Sequence, residues 1–347
     1  MRGQFEQPGQ ALVAALSAEA EGAPLENAAH SYSRRLLGNR NFAITLVGLM
    51  LFTGCAAGVD HFLTADNLLN MIRQVSLIAV AGVGMTFLFI AGELDLSVGS
   101  VYGFLTVIMG ILVVRDGWNP WLGTATVVLL GCGIGAFNSL LVTKVGIPAF
   151  IVTLAGMTAF RSGALLASGE QPFATGTEGL FYESAGGNLG GVVPFLIVWM
   201  LAVVTIGAAI LAKTRFGAHV YATGGNLEAA RSAGIDTDRV KLICFVLTSG
   251  LCGLIASLLF GWLHVAAPTT GTGFEFRVIG ALILGGVALT GGRGSIYGTV
   301  IGALILGMLS SGLVLLGFSQ HWENVATGVT ILFTATLDIC IRRLAEH

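Results

Sequence analysis

The chain has 347 residues, of which 54% are hydrophobic and 10% charged, with a formal net charge of -2. A soluble domain carries roughly 25% charged residues, so an ordinary water-soluble globule is excluded, and no basic excess offers a footprint for nucleic acid. Fifty glycines, roughly twice the usual share, point to helices packed backbone to backbone within a bilayer.

Residues 1–41 read as a polar, alanine-rich cytoplasmic tail. The first apolar run begins near Phe42, too late for the core of a secretory signal. A bilayer core about 30 Å thick takes roughly 20 apolar residues per helix. That length predicts an all-α, polytopic bundle of about ten helices (eight to ten) within a transmembrane domain at 42–341. The expected spans are 42–59, 75–91, 97–114, 120–142, 147–168, 192–212, 242–263, 277–290, 296–317 and 325–340. The eighth is only fourteen residues long and reads as a broken or re-entrant segment. Residues 342–347 form a short cytoplasmic tail. With the N-terminus inside, thirteen of the 17 Lys and Arg fall on the cytoplasmic side. Three, Arg73, Arg115 and Arg277, fall outside, and Arg161 lies within a span. This positive-inside bias places both termini in the cytoplasm. The five cysteines lie inside apolar runs without CxxC spacing or companion histidines, and read as packing groups.

Polar residues near or within spans are the candidate pathway groups. Gln74 lies near an outer helix mouth and Asn138 inside a span near its cytoplasmic end; both suit a polar route or hydrogen bonds between helices. Glu93 and Asp95 sit in the turn after the second span. They read as inner-pathway lining or partners for an arginine such as Arg293, or Asp95 or Ser97 caps the helix opening at Val98. Arg161 falls past the middle of its span, facing a cavity or an acid, or snorkelling outward toward Glu170. Residues 169–191 form an outward loop with three acids and no Lys or Arg.

The cytoplasmic stretch 213–241 is punctuated more sharply. Gly224-Gly225 breaks what precedes it, Asn226 suits an N-cap, Glu228 occupies a first turn, and Gly234 suits a left-handed stop. A short helix of about seven residues results, roughly 10 Å long. On local chemistry it is either a capped connector or a docking knob. Gly291-Gly292-Arg293-Gly294-Ser295 reads as a tight cytoplasmic turn, and Gly99–Gly103 (GSVYG) is echoed by Gly294–Gly298 (GSIYG), a short parallel repeat if ancestral.

The spacing Glu228-Ala229-Ala230-x-x-x-Gly234 is similar to the EAA motif of ATP-binding-cassette importer permeases. Arg215-Phe216-Gly217, Tyr221–Asn226, Gly92–Ser100, Ile147–Leu154 and Gly291–Ser295 together resemble the ribose and related monosaccharide permease family, in the family's order from about residue 62 to 340. The resemblance implies an inner-membrane subunit that moves a monosaccharide or polyol inward by alternating access. It implies a second permease copy or paralogue, two ATPase subunits holding ATP and Mg, and an extracytoplasmic sugar-binding protein. Glu228 and Gly234 would shape the helix that enters a cleft on the ATPase, while Ala229 and Ala230 keep its contacting side small. Arg161 could then donate to sugar hydroxyls. The chain has no GxxxxGK[ST] phosphate loop, so no cofactor or metal is expected on it and ATP hydrolysis belongs to a partner. Rival readings are the same architecture carrying nucleosides or branched-chain amino acids, and an ion-coupled secondary transporter. The latter needs a carboxylate buried mid-span, and by this reading all acids fall at span ends, in loops or in tails. An intramembrane enzyme would need clustered His, Ser or acid pairs within spans, which are missing.

Overall fold

The computed structural model describes residues 40–319, 321–322, 324–330, 332 and 336. The expected N-terminal tail up to residue 39, the C-terminal tail and half of the tenth span (331, 333–335 and 337–340) lie outside the described residues, and the described part of that span is helical. Helices α1 (Arg40–Gly58), α2 (Ala65–Ile90), α3 (Val98–Gly110), α4 (Pro120–Leu140) and α5 (Ala149–Ser168) come first. Helices α6 (Leu180–Gly186), α7 (Phe195–Lys213), α8 (Arg215–Gly225), α9 (Leu227–Ser232), α10 (Thr237–Leu263), α11 (Phe274–Leu284) and α12 (Ile296–Leu315) follow. Single π turns extend α3 to Arg115 and α4 to Val145. Eight of the described helices are long and apolar enough to cross a membrane. They match eight of the expected spans closely, except that α2 starts ten residues early and carries Arg73 and Gln74 on its first turns.

The core forms around α2 and α10, both largely enclosed by neighbours. Small residues make this possible. Gly131 and Gly135 of α4 lie on the Ser249 and Phe245 carbonyls of α10, and Gly253 of α10 lies on the Val127 carbonyl. Three backbone approaches along one seam let dispersion replace the missing hydrophobic drive between helices in lipid. Gly135→Leu should therefore lower the thermal midpoint in detergent by several degrees, since overpacking costs about 1–3 kcal/mol. Gly133→Leu, whose Cβ would meet nothing within 4 Å, should leave that midpoint within a degree or so.

Two connections enter the bundle instead of running over its surface. Gly84 of α2 packs on Thr248 of α10, and α2 continues six residues further to Ile90. Yet the Val98 carbonyl accepts from Cys252 Sγ at 3.6 Å, one turn of α10 beyond Thr248 in the opposite direction. Residues 91–97 thus climb back about 15 Å, at 1.5 Å per residue, before α3 begins. From the other end, β4 (Val265–Ala266) pairs with β1 (Phe173–Ala174). Residues 267–273 then descend until Thr270 and Gly271 lie against Gly103 and Gly99 of α3. There α11 starts and runs toward the end that bears α8 and α9, called here the basic end. The expected short eighth span is this 11-residue half-helix, seated on α12 through Gly302 on the Ala281 carbonyl and Gly298 on the Gly285 carbonyl. Arg277, expected in an outer loop, lies instead in its first turn, because the polar run before it descends into the bundle.

The expected outward loop 169–191 folds as a cap that holds β1, α6 and the β2 (Asn188–Leu189) and β3 (Val193–Pro194) pair. Trp199 Nε1 donates to the Ser184 carbonyl at 3.0 Å, and Tyr182 stacks on His264. The two GSxYG copies open helices that point the same way but at different depths. The first begins one residue inside α3, and the second begins two residues before α12. The described cysteines are free, with Cys244 and Cys252 buried.

Candidate functional site

At the basic end the short helix forms as its punctuation requires. Asn226 Oδ1 accepts from Ala229 N at 3.0 Å, and Gly234 adopts φ +83°. Asp236 then caps α10 by accepting from Arg239 N at 3.0 Å. Glu228 and Ala229 are exposed, whereas Ala230 is 4% exposed and turned into the bundle. The surface offered outward is therefore Glu228 and Ala229, while Ala230 anchors. Arg231 and Lys144 both reach Asp238, each at 3.1 Å, which ties α9 and the end of α4 to the start of α10. These pairs are largely solvated and worth less than about 1 kcal/mol each, so they orient α9 more than they stabilise it.

The preceding helix α8 ends at Gly224-Gly225 as expected, with Asn226 the first residue beyond it. Gly224 is required for another reason, because a methyl group there would overlap the Ile90 carbonyl and crowd Gly292 N. Gly292 N donates to that same Ile90 carbonyl at 2.9 Å, and Tyr221 Oη donates to the Gly294 carbonyl at 2.8 Å. Gly291 in turn packs on Gly92. The end of α8, the end of α2 and the 291–294 turn are thus pressed together in one node.

Glu93 pairs with Lys241 of α10 and not with Arg293; both side chains are about 14% exposed. Removing one partner of such an enclosed pair strands a charge, at about 3–5 kcal/mol, whereas replacing both by apolar groups is often neutral. Glu93→Ala or Lys241→Ala alone should lower the thermal midpoint strongly. The Glu93→Leu/Lys241→Met double variant should restore most of the loss, and a double-mutant cycle in detergent measures the coupling.

The two entering connections meet midway between the ends, where the N-termini of α3 and α11 converge. Asp95 is fully buried, and its Oδ1 accepts from both Ser97 N (2.7 Å) and Ser97 Oγ (2.6 Å). Asp95 therefore braces the turn that opens α3, and its Oδ2 is unpartnered. Arg161 of α5 is half-buried and points inward, not toward Glu170. Its Nη1 donates to the Thr270 carbonyl at 2.8 Å and its Nη2 to that of Gly271 at 3.0 Å. Glu275, in the first turn of α11, is 4% exposed, with Oε2 unpartnered and directly against Gly99. Tyr102 and Phe274 sit beside it with ring centroids 4.9 Å apart. Asn138 is buried near the basic end with Nδ2 unpartnered, and Gln74 is exposed near the other end. Among the described residues no three His, Cys, Asp or Glu side chains are grouped to hold a metal.

A half-helix, α11, whose N-terminus meets that of α3 inside an apolar bundle is an arrangement that transporters use. Residues 67–335 match the family model described as the branched-chain amino acid transport system / permease component. The chain belongs to this permease family. The permease is 38% identical over 308 residues to the ribose import permease protein RbsC of Escherichia coli K12, which covers 85% of this chain and 92% of that protein. It is 39% identical over 278 residues to RbsC of Bacillus subtilis, covering 80% and 86%. To the autoinducer 2 import system permease protein LsrC of Photorhabdus luminescens it is 31% identical over 321 residues, covering 90% and 94%. No solved structure matches it. The permease is thus a multi-pass helical membrane protein whose resemblance to the ribose-type permeases extends along nearly its whole length.

Sequence reasoning missed Glu275, which it assigned to an outer loop. Contrary to expectation, acids are buried mid-bundle: Glu275 and Asp95 both lie deep in it, carried there by entering connections. A fourteen-residue span was the available signal, since it is too short to cross unless the chain before it covers the remaining depth.

Proposed function

We propose that this permease is the membrane subunit of an ATP-binding-cassette importer that carries a monosaccharide or related polyol inward. The observation that carries the proposal is the end-to-end similarity to ribose import permeases, joined to an exposed, doubly capped helix α9 on a chain with no phosphate loop of its own. In this reading the basic end faces the cytoplasm, since Lys144, Lys213, Arg215, Arg231, Arg239, Lys241 and Arg293 gather there. Both chain ends are cytoplasmic, and the protein sits in the inner membrane.

Glu228 and Ala229 on α9, held by Ala230 and stopped by Gly234, dock into the ATPase, which alone holds ATP and Mg. A second permease copy or paralogue completes the path, and an extracytoplasmic binding protein delivers the sugar to the opposite end. Gln74, Arg161, Asp95, Asn138 and Glu93 supply polar groups along the route. As the ATPases close, α9 moves α8, and the node at Gly224, Gly292 and Ile90 passes that motion to the connections that meet at the midplane. Substrate class is tested by uptake into vesicles holding the complete complex, across pentoses, hexoses, polyols, nucleosides and branched-chain amino acids. Uptake of a pentose or hexose is the expected result. Uptake confined to nucleosides or amino acids would replace the sugar assignment.

A further inference from the structure

Two groups at the meeting point of the entering connections keep bonding capacity that the bundle leaves unused. A guanidinium has five N–H donors, and Arg161 donates only to the Thr270 and Gly271 carbonyls. Glu275 is 4% exposed with an unpartnered Oε2, although a buried, unsatisfied carboxylate oxygen is costly. The helix dipole at the α11 N-terminus offsets part of that cost but leaves the acceptor empty. The two groups are neighbours: Gly99 of α3 touches Glu275 Oε2, while Gly103, one turn on, faces Arg161 Nη1. They therefore meet α3 at points roughly 6 Å apart along its axis, four residues at 1.5 Å each.

We propose that Arg161 and Glu275 form the midplane sugar contact of the translocation path, with the Tyr102–Phe274 ring pair as its apolar wall; this rests on the importer reading above. An acid beside a guanidinium suits a ligand of no net charge that both donates and accepts, whether a sugar's hydroxyls or an amino acid's zwitterion, and the importer reading above selects the sugar. A net anion would be repelled by Glu275 and a net cation by Arg161. The ring pair, with both members 4% exposed, supplies the surface that a sugar's C–H face needs. In this structure the 267–273 turn rests directly on Gly99 and Gly103. When that turn withdraws from α3, the Thr270 and Gly271 carbonyls leave with it. The Arg161 donors are then released at the step that opens the path, ready for hydroxyl oxygens.

The test uses the complete complex in proteoliposomes and reads sugar transported per ATP hydrolysed for Glu275→Ala, Glu275→Gln and Arg161→Lys. Co-elution of each variant with the ATPase verifies that it is folded. Glu275→Ala and Arg161→Lys are expected to lower the ratio at least fivefold. Glu275→Gln, which keeps an acceptor oxygen and the side-chain shape, is expected to retain more of it than alanine does. An unchanged ratio, including one in which uptake and hydrolysis fall together, would overturn the assignment and leave the pair a packing role. Wild-type complex that moves no sugar at all would overturn the importer reading itself, and this contact with it.

Discussion

Glu228→Lys and Gly234→Leu will each reduce substrate-stimulated ATP hydrolysis and sugar uptake to less than a tenth of wild type, while the permease remains inserted. Glu228 is exposed in the first turn of α9, where its charge complements the helix dipole, so lysine reverses both the local field and the docking surface. Gly234 holds φ +83°, with open space around its missing Cβ. The penalty of a side chain there is thus conformational, about 1–2 kcal/mol for the left-handed region. That is too little to unfold a bundle whose core lies elsewhere. It is enough to redirect the chain between α9 and α10, because the largely solvated Arg231–Asp238 pair is too weak to hold the angle of a six-residue helix against it. ATPase assays and uptake on reconstituted complex, with insertion checked by protease protection, read the outcome. Normal hydrolysis and uptake in both variants would remove α9 from the coupling path.

Gly224→Val will produce an equally large loss through a different failure. Its side chain would have to occupy the space of the Ile90 carbonyl and the Gly292 amide, which are hydrogen-bonded to each other at 2.9 Å. Neither is the flexible end of a side chain, so the node must separate. Cooperating motion of α8, α2 and the 291–294 turn ends with it. The expected result is ATP hydrolysis that no longer responds to substrate and uptake below a tenth of wild type. The adjacent Gly225→Ala, whose added methyl meets nothing within 4 Å, should stay within twofold of wild type. Equal behaviour of the two variants would show that helix propensity, not close approach, explains the glycine pair.

The long helices were legible because a bilayer imposes length and apolarity together. The same demand announced the odd eighth span. Depth was not legible. Thr269-Thr270-Gly271-Thr272-Gly273 has the composition of a surface turn, and only the small faces at Gly99 and Gly103, on a helix 170 residues earlier in the chain, allow it to lie at the midplane. Glu275 and Arg277 were misplaced with it. Helix α8 was read as loop for a related reason. Gly217, Gly224 and Gly225 are poor helix formers, but Gly217 lies on the Leu211 carbonyl and Gly224 on that of Ile90, so close approach outweighs propensity. The caps of α9 were legible residue by residue, since Asn226 and Gly234 act through their own backbone neighbours. The partner of Glu93 was not, because Lys241 is distant in sequence and one of several basic residues at that end.

In the proposed mechanism an external ATPase, acting through α9, drives this permease, and the buried acids Glu275 and Asp95 make ion coupling the alternative to exclude. The direct measurement is ribose uptake into proteoliposomes, with the permease alone and with its ATPase and sugar-binding protein, in the presence and absence of ionophores that collapse proton and sodium gradients. Uptake is expected only in the complete complex with hydrolysable ATP on the α9 side, unchanged by ionophores. Uptake by the permease alone, driven by an ion gradient and abolished by ionophores, would contradict that mechanism.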